Sequence, residues 1–288
     1  MDNFKTIHVA GVLCIIFVFA SILNNFKNLP DDTSPEDNKK AELFRNPIED
    51  RYIKPFNIPK PSKLAEPHSL FVVKNKKLLK KEELLQTLRK NKGLALPIGY
   101  SFGDNSTVNL SEPGTDGDHH FTNAYLEDYM PFFTENLWVP LYTISKRKKY
   151  LFDHINYPEK IEVWQSSKEA FRNTRGDCED HAIALADWLI SLGEDARVVL
   201  GHYKNGGHAW VILFKDNKEF LLEATQKSGL AYLKQYPLAK LRTRYHPKYM
   251  FNRKGFWLNE GSVYTTSYSG DNWILKSNYE PEKPLNYT

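Results

Sequence analysis

The sequence reads as an α+β protein carrying an N-terminal transmembrane helix. A run of almost wholly apolar residues from Ile7 to Leu23 stands for the span. Past Cys178 the residues turn helical in pattern. Leu185, Leu189 and Leu192 recur on one face, Ala182, Ala186 and Ile190 line an adjacent strip, and Gly193 supplies a stop. Val198–Tyr203, His208–Phe214 and Phe220–Thr225 then read as strands, the last two flanking an Asp216–Asn217 pair suited to a hairpin turn.

The apolar run is about 17 residues long, the lower limit for a spanning helix and longer than a usual signal-peptide core. No small-x-small cleavage site follows it, since the chain runs on as Ala20-Ser21-Ile22-Leu23-Asn24. Residues 1–27 are therefore read as an uncleaved signal anchor rather than a cleaved signal peptide. Lys5 precedes the span, and Lys27 with the acidic run Asp31, Asp32, Glu36 and Asp37 follows it. That asymmetry keeps the N-terminus in the cytoplasm and places the body outside, in a periplasm or on the cell surface, as a single-pass membrane protein.

Residues 28–63 are rich in Pro, Asp, Asn and Lys. Pro47, Pro55, Pro59 and Pro61 interrupt any helix there, which makes the stretch a linker. Residues 64–288 form the folded domain. In it Ser69–Lys74 reads as a short strand, Leu78–Asn91 as a helix and Leu94–Ile98 as a short apolar run. Gly99–His120 reads as a loop rich in Gly, Asp and Ser, and Leu126–Ile155 as partly helical with breaks at Pro131 and Pro140. The aromatic tail (Phe251, Phe256, Trp257, Tyr264, Tyr268, Trp273) either covers the sheet or lines a groove.

Composition supports a sizeable core, with 41% hydrophobic and 14% aromatic residues. A net charge of +4 is too small a bias to indicate nucleic acid. The basic run Lys74–Lys92 is interleaved with Glu82, Glu83 and periodic leucines, as on a solvated helix face.

Of the two cysteines, Cys14 lies in the apolar run, so the folded domain holds one thiol and no internal disulfide. Cys178 sits at the start of a helix among Asp177, Glu179, Asp180 and His181, an odd place for a buried structural cysteine. The positive end of the helix dipole there favours a thiolate. A two-residue turn at Asp216–Asn217 pairs Lys215 with Lys218, so that His208 faces Thr225 and Trp210 faces Glu223. His208 and Glu223 then share one face on a diagonal, within reach of each other; a three-residue turn would separate them. Cys178 as nucleophile, His208 as base and Glu223 as orienting acid make a triad for acyl transfer. The backbone N–H of Cys178 is one oxyanion donor, with the Trp164 indole or the Gln165 amide as a second.

These blocks resemble a known family. Gly176-Asp177-Cys178-Glu179-Asp180-His181-Ala182, then His208-Ala209-Trp210, then Leu222-Glu223-Ala224-Thr225, are similar to the bacterial transglutaminase-like cysteine proteinases. The resemblance implies a papain-like/transglutaminase-like core, with the Cys-bearing helix packed on an antiparallel sheet. It implies acyl-enzyme chemistry on a protein or peptide substrate, by peptide cleavage or amine transfer. It also implies calcium held by carboxylates near the Cys in some periplasmic members, here Asp177, Glu179 and Asp180. The third triad residue is usually Asp in that superfamily, and Glu223 departs from it by one methylene. No cofactor is otherwise required, and salt bridges to Arg172 or Arg175 are the alternative use of the three acids. Two other readings stand beside the thiol enzyme: a protein-crosslinking transglutaminase, and a binding module whose triad is vestigial. Cys178 and His181 do not suffice for zinc because no second Cys accompanies them. His119-His120 reads as solvated loop.

Overall fold

The computed structural model describes residues 61, 64 and 67–281, apart from 75–76, 80, 91, 94–97, 102–106, 205 and 228–235. The proposed anchor and nearly all of the linker lie outside these residues. Among the described residues no helix is long and apolar enough to cross a membrane.

Among the described residues, thirteen strands and five α-helices order the domain. They run β1 (Pro67–Lys74), β2 (Lys77–Leu79), α1 (Lys81–Lys90), β3 (Ile98–Ser101), β4 (Thr107–Pro113) and β5 (His119–Phe121). Next come α2 (Trp138–Arg147), β6 (Lys149–Tyr150), α3 (Asp153–Asn156), α4 (Ser167–Arg172), β7 (Arg175–Gly176) and α5 (Cys178–Ser191). The chain closes with β8 (Asp195–Tyr203), β9 (Gly206–Lys215), β10 (Lys218–Leu222), β11 (Tyr245–Phe251), β12 (Gly255–Asn259) and β13 (Trp273–Pro281). Eight strands form one sheet in the order β10-β9-β8-β11-β12-β13-β1-β2, with each neighbouring pair antiparallel. The mixed helix and antiparallel-sheet architecture expected from the sequence is present.

Alternation along β9 explains how α5 is seated. Ala209, Val211 and Leu213 join the core beneath α5, whereas Trp210 and Ile212 join a second cluster with Tyr245, Met250, Tyr268 and Trp273 on the other face. α5 is buried along nearly its whole length, from Glu179 to Leu189. Its polar Asp187 is held by Arg253 Nε (2.6 Å), Ser167 Oγ (2.5 Å) and the Tyr129 N–H (2.8 Å). α4 starts with a reciprocal capping box between Ser166 and Glu169, worth about 1 kcal/mol.

Several expected elements differ. Gly99–His120 is no loop, because it carries β3, β4 and β5, whose turn residues masked short strands. The helix expected over Leu78–Asn91 begins at Lys81, and Lys77–Leu79 pairs with β1 instead. Pro140 does not break a helix; it is the third residue of α2, where its missing N–H has no intrahelical acceptor to lose. Of the aromatic tail, Phe251, Phe256, Trp257 and Trp273 belong to strands of the sheet itself, whereas Tyr268 covers its second face, packed with Trp210 and Trp273.

Candidate active site

The β9–β10 hairpin sets half of the site. Asp216 and Asn217 both take positive φ (51° and 56°), the left-handed pair that a two-residue hairpin turn needs. Lys215 pairs with Lys218 and Val211 with Leu222, the register inferred from the sequence. Glu223 lies one residue beyond the end of β10, and its Oε2 accepts from His208 Nε2 at 2.8 Å. The Tyr245 hydroxyl donates to the same oxygen at 3.0 Å. The Thr225 N–H and Oγ1 donate to Oε1 at 3.0 and 2.6 Å. Burial opposes the charge on Glu223, but the bonds from His208 and Thr225 outweigh it and hold the carboxyl below its ordinary pKa. Glu223 is therefore the acceptor, and His208 carries its proton on Nε2. The imidazole is walled by aromatic rings, with centroids 5.7 Å (Tyr203), 6.2 Å (Trp210) and 6.3 Å (Tyr245) away.

The N-terminus of α5 sets the other half. Cys178 is the first helical residue, after an extended Asp177, and its sulfur is partly buried. The Ala209 N–H, one residue beyond His208, lies within hydrogen-bonding reach of that sulfur and favours the thiolate. The expected thiolate is nevertheless not what this environment gives on its own. Burial first, and then the charge of Asp177, push the Cys178 thiol up to about 12, more than the helix dipole offsets.

That charge belongs to a cluster. Asp153, Asp177, Glu179 and Asp180 each offer a carboxylate oxygen, and the four lie within 4.8 Å of one another. Asp153 Oδ1, Asp177 Oδ1, Glu179 Oε1 and Asp180 Oδ2 receive no hydrogen bond, although each is buried. The opposite oxygens of three of them are engaged: Asp153 Oδ2 accepts from the Val163 N–H (2.5 Å), Asp180 Oδ1 from the Gln165 N–H (2.8 Å) and Glu179 Oε2 from the Cys178 thiol (3.3 Å). Burial raises all four, and repulsion from facing carboxylates adds to it at Asp153, which reaches about 10, at Glu179 and at Asp180; the same two causes raise neighbouring Glu162 to about 7. Gly176 makes the approach feasible, because a Cβ there would lie 2.2 Å from Asp180 Oδ2. A hard-oxygen set with four orphaned oxygens fits a divalent cation such as calcium, with carbonyls or water completing its six to eight ligands. Asp153, 24 residues before Asp177, was invisible to sequence reasoning, since only the fold brings it in.

Buried Lys148, which the sequence did not suggest, is a basic group that acts on this cluster. Its ammonium donates to the carbonyls of Ala170 (2.8 Å), Asn173 (3.1 Å) and Arg175 (3.1 Å), shaping the loop into α5, and burial lowers its pKa to about 8. His181 is structural: its Nδ1 meets the Asp177 carbonyl at 2.5 Å and its Nε2 meets Lys227 Nζ at 3.1 Å. The two suggested oxyanion donors have other work. The one indole N–H of Trp164 goes to Glu162 Oε1 (2.8 Å), which removes it from that role in this conformation, and Gln165 Nε2 donates to the Arg175 carbonyl (3.0 Å). Outside the site, His120 pairs with Asp116 at 2.9 Å, and His119 is buried in β5.

Residues 162–272 match the family model described as the CEP76 peptidase-like domain. The stretch starts just before Trp164 and takes in Cys178, His208 and Glu223. Among solved structures, Legionella pneumophila LapG (EGTA-treated) is 18% identical, covering 56% of this chain and 79% of LapG, with a TM-score of 0.37. LapG (calcium-bound) is 19% identical, covering 52% of this chain and 81% of LapG, with a TM-score of 0.36. No curated protein matches the chain.

Proposed function

We propose that this chain is a thiol-dependent amide hydrolase or acyltransferase, a cysteine peptidase in its simplest form, acting on a protein or peptide through an acyl-enzyme. The observation that carries the reading is the hairpin: it orients His208 on Glu223 at 2.8 Å, and the next residue, Ala209, touches the Cys178 sulfur. The peptidase-like match over residues 162–272 supports it.

In this mechanism Nδ1 of His208 takes the thiol proton while Nε2–H stays on Glu223, which steadies the imidazolium. The thiolate attacks the amide carbonyl, and the Cys178 N–H, in the first helical turn and without an intrahelical acceptor, donates to the oxyanion. His208 returns the proton to the leaving amine, and water or a second amine resolves the thioester. Asp153, Asp177, Glu179 and Asp180 would hold a calcium ion. Bound there, it supplies positive charge that offsets the carboxylates disfavouring the thiolate. Residues 7–23 tether the domain to a membrane, with its substrate on the extracytoplasmic side.

The test is p-nitrophenyl acetate in calcium, followed by intact-mass analysis. A single acetyl group on Cys178, absent in Cys178→Ser and slowed in His208→Ala, is expected. The high thiol pKa favours a second reading, a vestigial binding module. Cys178 that neither acylates nor alkylates faster than a model thiol, with or without calcium, would establish that reading instead.

A further inference from the structure

Tyr150 stands against the nucleophile, and neither the triad nor the carboxylate cluster accounts for it. β6 and β7 form a two-residue parallel bridge that pairs Tyr150 with Gly176, two residues before Cys178. The Leu151 N–H donates to the Gly176 carbonyl at 3.0 Å and locks that register. The ring centroid lies 6.1 Å from that of His181, one turn along α5, and 5.3 Å from that of Phe152. So placed, the half-buried side chain turns its hydroxyl to the Cys178 sulfur. A phenol with the ordinary pKa of about 10 keeps its proton below that pH and can donate from its hydroxyl.

A tetrahedral intermediate at Cys178 needs two donors, and the Cys178 N–H is one. The Trp164 indole has its one N–H on Glu162, and the Gln165 amide spends one of its two N–H groups on the Arg175 carbonyl. We propose that Tyr150 is the second oxyanion donor, its hydroxyl resting on the sulfur before reaction and moving to the carbonyl oxygen as the C–S bond forms. No proton leaves Tyr150 in this step. The thiol proton is on His208, the carbonyl π pair moves to oxygen, and the phenol shares its hydrogen with that oxygen until the pair returns and expels the amine. The inference rests on the thiol reading above and adds a catalytic residue to it.

The experiment compares two reagents on the full chain in calcium. Acetylation by p-nitrophenyl acetate passes through an oxyanion, whereas alkylation by iodoacetamide is a direct displacement that forms none. Tyr150→Phe keeps the ring contacts and removes only the hydroxyl. It is expected to slow acetylation about a hundredfold, within the range for losing one oxyanion donor, while alkylation changes less than about threefold. Equal slowing of both reactions would overturn the proposal, because Tyr150 would then act through thiol ionisation alone. Unchanged acetylation would overturn it too. Replacing Tyr150 with 3,5-difluorotyrosine, which keeps the hydroxyl and makes it a stronger donor, is expected to keep acetylation at or above the parent rate. A loss there as large as in Tyr150→Phe would count against the proposal even if the Phe variant folded poorly. If the parent protein itself shows no Cys178-dependent acetylation, the thiol reading fails first, and the two failures are told apart.

Discussion

Removing divalent cations from the folded protein perturbs the carboxylate cluster most directly. Without an ion, repulsion and burial keep Asp153 near 10 and Glu162 near 7, whereas in the unfolded chain both titrate near the ordinary 3.8 and 4.5. Between about pH 5.5 and 6.5 these two groups therefore hold up to two protons that the unfolded state has released; Asp177, Glu179 and Asp180, raised as well, act in the same direction, and His181, lowered by burial, acts against it. More protons on the folded state mean stability falls as pH rises, by about 1.4 kcal/mol per pH unit for each proton. Asp153 and Glu162 together thus contribute about 1.4–2.7 kcal/mol per unit to the slope in EGTA. Calcium displaces those protons and should flatten the slope. At a calcium concentration of about 100 Kd it adds about 2.7 kcal/mol of stability, a rise in Tm of roughly 5–10 °C for a domain of this size. Thermal melts in EGTA and in calcium across this pH range test both effects, and titration calorimetry in two buffers of different ionisation enthalpy counts the protons released. A Tm that moves by less than about 1 °C with calcium, together with a flat EGTA profile, would refute the argument that these acids face one another uncompensated.

Other outcomes follow from the same contacts. In EGTA, iodoacetamide labelling of Cys178 should keep climbing through about pH 9, because the thiol is pushed up to about 12; calcium should move the profile to lower pH, and a profile indifferent to calcium would uncouple cluster from thiol. Glu223→Gln should cut acylation on the order of a thousandfold or more. It should also cost about 1–3 kcal/mol in denaturant melts, because His208, Tyr245 and Thr225 all aim donors at that carboxylate. Gly176→Ala should weaken calcium binding about tenfold to hundredfold in calorimetry, since its Cβ would displace Asp180; unaltered affinity would place the ion elsewhere. Arg253→Met should destabilise by about 3–5 kcal/mol in urea melts by leaving Asp187 buried without its cation.

Local pattern made much of this readable. The helix at Cys178 showed itself by leucine spacing and a glycine stop, and the structure places Gly193 at positive φ just past α5. The hairpin register followed from two turn residues, and with it the pairing of His208 with Glu223. What stayed hidden depends on long-range approach. Asp153 and Lys148 reach the helix start only through tertiary packing, and nothing in their neighbours in sequence marks them. For the oxyanion candidates Trp164 and Gln165, the direction of each donor depends on Glu162 and on the Arg175 carbonyl, contacts the sequence does not show. The strands of Gly99–His120 escaped because glycines and acids within them look like turn chemistry. Thiol acidity was misjudged because a dipole near one end of a helix was weighed without the full burial of the acids around it.

The tip of the β9–β10 hairpin has a consequence for how this domain can vary. Asp216 and Asn217 are exposed and polar and take no part in the chemistry, the sort of position where insertions usually drift in unnoticed. Here one added residue would reverse the parity of everything after it and present Glu223 to the wrong side of the sheet, while two would restore it. The length of an outwardly unremarkable loop is thus fixed modulo two by the need to keep one carboxylate behind one imidazole.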